Sequence, residues 1–247
     1  MSEYDPLSPD LRLFDHFYSN DSVADAVIGE LNWEIVTIGT ASTYANLVTT
    51  NTDTNSIGVL RSTTAANADG DGSVLRLDED VILPWLGMRM AWRVRYPDAS
   101  GNSLDGNNWR IGVGDLVTAT THTVGIYIES LSGVITCHTA SADHGDESLA
   151  VTGHPDLTSG TTMVLSAATG WTTFGFTCSG RPNSRGGPDE VVFHVNGTQY
   201  VVPSELDDDE EMELTMTHWN LQGGAQSYEF DRDYIGLYVP HPAGSGA

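Results

Sequence analysis

Arg89, Arg93, Arg95 and Arg110 bring four basic residues into 22 positions of a chain that has only ten, every one an arginine. The run Met88-Arg89-Met90-Ala91-Trp92-Arg93-Val94-Arg95-Tyr96 has a period of two. As a strand it projects Met88, Met90, Trp92, Val94 and Tyr96 to one side and Arg89, Arg93 and Arg95 to the other. A guanidinium is a flat fork of donors that matches carboxylates and sulfates and lies well on aromatic rings. Two uses follow. The arginines can pair within the chain, with Glu229, Asp231 and Asp233 on the strand before the last. They can instead anchor an acidic neighbour, a second subunit or a sulfated or uronate-bearing glycan. In the glycan case Trp109, Tyr127 or Trp219 could stack on a sugar ring from one end of the fold.

The acids offer less. Asp69-Gly-Asp71-Gly-Ser73 places oxygen ligands at alternate positions, with Asp80 further on, as a calcium loop begins. Val74 stands where that loop needs glycine, so a plain turn is favoured and any Ca or Mg would be held loosely at Asp69, Asp71 and Asp80. Asp207 to Glu211 is five consecutive acids, the pattern of a solvated loop rather than of tuned proton transfer. His138, His144 and His154 lack metal-ligand spacing. No nucleophile elbow, phosphate loop or dinucleotide fingerprint is present. The expectation is a non-enzyme without a required cofactor.

Local patterns set the elements. Asn196-Gly197 separates two β-rich runs, the strongest short-range hairpin signal. With that turn, Val195 faces Thr198, Phe193 faces Tyr200 and Val191 faces Val202 on an apolar side, while His194 faces Gln199 on the other. A two-stranded ribbon cannot bury such a strip alone, so a second sheet must cover it. Further strands are predicted over 11–17, 33–38, 43–48, 57–61, 73–77, 88–96, 109–113, 124–129, 134–138, 162–165, 171–178, 212–219 and 234–239. One short helix is predicted over 21–30, capped by Asp21 or Ser22. Residues 139–160 are polar and aperiodic and are predicted to form a long loop.

These patterns predict an N-terminal arm over 1–11, one β-sandwich domain over 12–240 and a small-residue tail over 241–247. Cys137 and Cys178 fall on apolar sides of strand-like runs and are expected as buried free thiols. No apolar run long enough for a membrane span or a signal peptide is present, so the chain is expected to be made in the cytoplasm. Asp and Glu number 34 against ten arginines and no lysine, a net charge of −24. Such a surface repels nucleic acid and anionic membranes. It also resembles the surfaces of proteins from salt-loving archaea, whose solvent screens the self-repulsion.

A Trp at 171 before a strand, then the VVFHVNGT hairpin at 191–198, then the closing YIGLYV at 234–239, resembles the concanavalin A-like (laminin-G-like) jelly roll. Phe14-Asp15-His16-Phe17, the segment from Trp33 to Gly39-Thr40, and Arg110-Ile-Gly-Val-Gly-Asp115 resemble virion surface proteins of tailed viruses built on this fold. The resemblance implies an all-β sandwich of about 11–14 antiparallel strands with at most one short helix. It also implies a non-enzymatic virion protein of decoration, vertex or fibre type, with other virion proteins or further copies of itself as partners; combined with the salt-adapted composition, it points to a tailed virus infecting a haloarchaeon. A carbohydrate-binding module or host adhesin contacting surface glycan is the alternative. A glycan hydrolase is the remaining one, but the Glu-x-Asp-x-(x)-Glu strand of family 16 glucanases is absent. Charge repulsion at −24 predicts that stability rises steeply as KCl is taken from millimolar to molar; a flat response of the unfolding midpoint would refute salt adaptation.

Overall fold

The computed structural model describes residues 11–17, 27–28, 31, 33–40, 42–46, 58–65, 70–77, 82–96, 106–115, 122–152, 154, 171–220 and 228–240. These residues form two antiparallel sheets and no helix. Among the described residues there are sixteen strands, more than the sequence patterns suggested. The first eight are β1 (Leu11–Asp15), β2 (Val27–Ile28), β3 (Trp33–Ile38), β4 (Thr43–Asn46), β5 (Leu60–Thr63), β6 (Gly72–Arg76), β7 (Arg89–Arg95) and β8 (Asn107–Gly114). The second eight are β9 (Gly125–Leu131), β10 (Val134–Ser141), β11 (Gly145–Ala150), β12 (Thr172–Pro182), β13 (Pro188–Val195), β14 (Thr198–Pro203), β15 (Glu213–Asn220) and β16 (Glu229–Val239).

Sheet A runs β14-β13-β12-β7-β16-β5-β4, and β1 continues the β5 side of β16. Sheet B runs β11-β10-β9-β8-β15-β6-β3-β2. Alternation explains the packing. Met90, Trp92 and Val94 of β7, with Phe174 and Phe176 of β12, enter one core with Trp109, Ile111 and Val113 of β8 and Leu214 and Met216 of β15. Trp109 stacks on Phe230 and meets Phe174 edge to face, so aromatic rings from both sheets interlock at the centre.

The Asn196-Gly197 hairpin has the register its sequence predicts. Val195 pairs with Thr198, Phe193 with Tyr200, Val191 with Val202 and His194 with Gln199. Asn196 and Gly197 take φ of 45° and 85°, the left-handed values that a type I′ turn requires. Val191, Phe193, Val195 and Val202 are buried in the core. Ser132 and Gly133 likewise turn β9 into β10.

Three expectations change. Val27–Ile28 is extended and pairs with Trp33 and Glu34, so the predicted helix does not span 21–30; residues 21–26 lie outside the described ones. The segment 139–160 is not one loop. β10 continues to Ser141, and β11 folds back on it with Ser141 facing Gly145 and Thr136 facing Ala150. Every residue of β11 is exposed, so this edge strand carries no apolar alternation to reveal it. Glu229 to Asp233 do not belong to a separate strand, since β16 starts at Glu229. Residues 1–10 of the arm, the strand predicted over 162–165 and the tail over 241–247 fall outside the described residues.

Both cysteines are free and buried, on opposite sheets, as expected. The hairpin separates two kinds of cost. Phe193→Ala is expected to lower the unfolding free energy by about 3–5 kcal/mol through lost burial and a cavity. Gly197→Ala meets no neighbouring atom and is expected to lose about 1–2 kcal/mol from its left-handed backbone alone. Denaturant midpoints of the two variants check the ranking, and equal losses would refute the core assignment of the strip.

Candidate functional site

The face of sheet A turned away from the core carries the arginines of β7. Arg95 donates from Nε to Asp231 at 3.0 Å, and Arg61 of β5 grips the same carboxylate with Nε at 2.7 Å and Nη2 at 3.0 Å. Arg61 also reaches Glu229 at 3.1 Å, and Arg93 pairs with Asp233. A register shift between Arg232 and Tyr234 allows Asp233 and Tyr234 both to meet Arg93. Asp231 is wholly covered by its partners. Internal pairing therefore accounts for Arg93 and Arg95.

The same face is also aromatic. Arg95 lies 4.4 Å and Arg93 5.1 Å from the centre of the Trp171 ring, and Arg93 lies 5.9 Å from that of Tyr234. Arg89 and Arg12 sit on Tyr238 at 4.6 and 5.6 Å. Phe14, 49% exposed, stacks on Tyr234. The result is a ladder of alternating guanidiniums and rings across β1, β16, β7 and the residue preceding β12. Arg89 is exposed and has no carboxylate partner among the described residues. Over β1, β5, β16 and β7 this outer face holds Arg12, Arg61, Arg89, Arg93 and Arg95 against Glu229, Asp231 and Asp233. Among the described residues, five positive charges stand with three negative on these four strands of a strongly acidic protein. Trp171, Tyr234, Tyr238, Phe14 and Arg12 were not among the sequence-derived contact residues. The signal for two of them was the alternation Tyr234-x-Gly236-x-Tyr238 beside the acids expected to meet the arginines.

The remaining candidates lie elsewhere. Arg110 is on β8 of sheet B, apart from the other three. Trp109 is fully buried between Phe174 and Phe230, with its indole N–H donated to Tyr96 at 2.9 Å. Trp219 is 3% exposed, with the Arg110 guanidinium 5.8 Å away. Neither indole can stack on a sugar from this position, because alternation and covering groups bury both rings. Tyr127, 5% exposed, is enclosed by Arg110, His122 and His138.

On the outer side of sheet B, Glu129 accepts from Arg110 Nε and Nη2 at 3.2 and 2.7 Å. His138 lies between Glu129 and Asp146, its Nε2 3.4 Å from one carboxylate and its Nδ1 3.0 Å from the other. Burial acts to raise Glu129, but the His138 hydrogen bond and the charge and hydrogen bonds of Arg110 outweigh it and bring it down to about 2. Such a carboxylate is no proton donor at neutral pH. Burial and Arg110 hold His122 down at about 4, so it is neutral. Glu34 and Glu213 are paired with Arg76.

For cations, Asp71 accepts the Thr40 N–H at 2.8 Å and anchors a turn, while Asp69 and Asp80 lie outside the described residues. Asp143, His144 and Asp207 present ligand atoms within 4.8 Å of one another at the surface. Arg185 supplies a positive charge there, pairing with Asp207 and Glu205 and reaching His144. Glu210 of the acidic run accepts from Ser141 Oγ, the Ala142 N–H and the Asp207 N–H, so it ties the β10–β11 turn to the loop before β15.

No family model matches the chain, and no curated protein matches it. Solved structures do. A protein of unknown function from Shewanella oneidensis MR-1 is 13% identical, with 100% of this chain and 98% of that chain covered and a TM-score of 0.57. The Bacillus licheniformis β-glucanase is 11% identical over 93% of this chain and 98% of that one, at 0.55. The ligand-binding domain of botulinum neurotoxin serotype D, in complex with N-acetylneuraminic acid, is 12% identical over 94% of this chain and 48% of that one, at 0.51. The fold is the concanavalin A-like jelly roll. Its neighbours include both hydrolases and binding domains.

His138 supplies a pH test. Burial acts to lower its pKa, but the hydrogen bond and charge of Glu129, joined by Asp146, raise it above the ordinary value of 6.5. A raised folded pKa adds stability that is complete below about 6.5 and is lost as pH rises through the folded value. The stability advantage of the parent over His138→Gln should therefore fall as pH rises from 6.5. The ring should titrate above 6.5 by NMR, and lower in Glu129→Gln; titration at or below 6.5 in the parent would refute the clamp.

Proposed function

We propose that this chain is a non-enzymatic binding protein displayed on a virion, and that the guanidinium–aromatic face of sheet A holds an acidic partner. The ladder of Arg12, Arg89, Arg93 and Arg95 with Phe14, Trp171, Tyr234 and Tyr238 carries the proposal. It gathers positive charge and partly exposed rings on one flat surface of a chain whose net charge is −24. In a strongly saline solvent the Debye length is about 3 Å at 1 M, so long-range attraction is screened. Direct bidentate contacts and ring stacking survive, and this face offers both. Arg93 and Arg95 are occupied by Asp233 and Asp231, so Arg89 is the group free to receive a carboxylate or sulfate.

The non-enzymatic reading rests on sheet B. A retaining hydrolase needs two carboxyls about 5 Å apart, one of them held protonated. Glu129 is locked by Arg110 and His138 in the ionised form, and Glu34 and Glu213 are tied to Arg76. The virion setting is supported by the Phe14–Phe17, Trp33–Thr40 and Arg110–Asp115 segments and by the lysine-free acidic composition.

A second reading, glycan recognition, is favoured by the flat Trp171 ring flanked by two guanidiniums. That pairing suits a sugar bearing a carboxylate or sulfate, and a fold neighbour is described in complex with N-acetylneuraminic acid. Both readings use the same face. Mass spectrometry of purified virions should find the chain in tens to hundreds of copies, and its absence would refute the virion role. A glycan array in molar KCl should retain sialylated, uronate or sulfated ligands, with about tenfold weaker binding in Arg89→Glu. No ligand on the array would refute the glycan reading and leave the acidic subunit contact.

A further inference from the structure

Asp231 and Arg232 are consecutive on β16 and form no contact pair, because alternation sends their side chains to opposite sides of sheet A; burial outweighs the more distant charge of Asp231 and brings the Arg232 guanidinium down to about 10. Asp231 points outward and is taken by Arg61 and Arg95. Arg232 points inward, is 1% exposed and lies with its guanidinium 4.8 Å from the centre of the Phe230 ring.

The hydrogens around Arg232 run in one direction. Asn107 donates its Nδ2 hydrogen to the Glu229 carbonyl at 3.1 Å, which fixes Oδ1 as the atom facing His218. His218 Nε2, 2.8 Å from that oxygen, must be the donor. His218 is neutral, held well below its ordinary pKa by burial and then by the charge of Arg232, so its Nδ1 is a bare acceptor. Ser62 therefore donates its hydroxyl hydrogen to Nδ1 at 2.7 Å, and its oxygen accepts Arg232 Nη1–H at 2.9 Å. No member of this row is negative. The Tyr44 phenol is raised by burial, pairs with Ser73 and supplies no counter-charge either.

That leaves Nε and Nη2, the two N–H groups on one edge of the guanidinium fork, with no acceptor among the described residues. A buried cation with a bare bidentate edge is strongly unfavourable unless something satisfies both its charge and its donors. We propose that the Nε/Nη2 edge of Arg232 binds a small monovalent inorganic anion, a halide, between the two sheets. Two parallel N–H groups converge on one atom, and one negative charge cancels one guanidinium. A divalent oxyanion would reverse the imbalance and bring more oxygens than the edge has donors. Burial selects weakly hydrated ions, so bromide and chloride are favoured over fluoride.

The test uses the full chain at constant ionic strength, with potassium gluconate replaced stepwise by potassium chloride. The melting temperature should rise and saturate, as mass action at one site requires. Bromide should reproduce the rise and fluoride should not. Arg232→Met should lose the anion dependence altogether, since a neutral side chain of similar length asks for no counter-ion. Should that variant fail to fold, crystals of the parent grown in bromide give an independent readout, an anomalous peak within hydrogen-bonding distance of Nε and Nη2. A melting temperature indifferent to the replacement, a rise that persists in Arg232→Met, or no bromide at Arg232 would each overturn the proposal.

Discussion

A fully buried carboxylate at Asp231 holds the middle of sheet A together. Arg61 reaches it from β5 and Arg95 from β7, so one side chain links three adjacent strands beyond their backbone bonds. The arrangement is asymmetric in cost. The pair as a whole contributes little against an apolar substitute, but losing one partner leaves a buried charge unmatched. Arg93 and Asp233 repeat the motif one step along the strands, after the irregularity that re-aims Asp233. With these guanidiniums pinned, the rings of Trp171 and Tyr234 have flat cations resting against them. The Arg93 and Arg95 rungs of the outer ladder are thus a by-product of strand pairing.

The hairpin at 196–197 was legible to the residue because turn chemistry and alternation are local, and its register followed from them. The inward and outward sides of β7 were legible for the same reason, and so were the acids that meet its arginines. Sequence spacing does not say which sheet a strand joins. Arg110 is close to Arg95 in the chain, yet β8 crosses to the other sheet, and Arg110 faces Glu129 instead. Trp109 alternates with Arg110, so the same crossing sends it into the core. An aromatic residue read as a sugar platform and one read as core look identical until the opposing sheet is known.

β11 escaped notice because its six residues are exposed on both faces and follow no period. Arg232 escaped because a lone arginine in an alternating run reads as an outward residue. The shift beside it and the inward turn of Ser62 and His218 are properties of the assembled sandwich. The site residues that sequence reasoning missed share this origin. Trp171, Tyr238 and Arg12 come from three separate segments that only strand order brings onto one face.

β11 carries Asp146 and Glu147 on a strand whose outer edge has no further partner among the described residues of sheet B. A row of exposed backbone donors and acceptors normally invites another strand to dock, and crowding acids onto it deters that growth. At the matching border of sheet A, β14 ends the order and shows Val201 at 52% exposure, with no acid among its six residues. Among the described residues, these two neighbouring edges of the sandwich therefore meet an added strand differently, one lined with acids and one free of them.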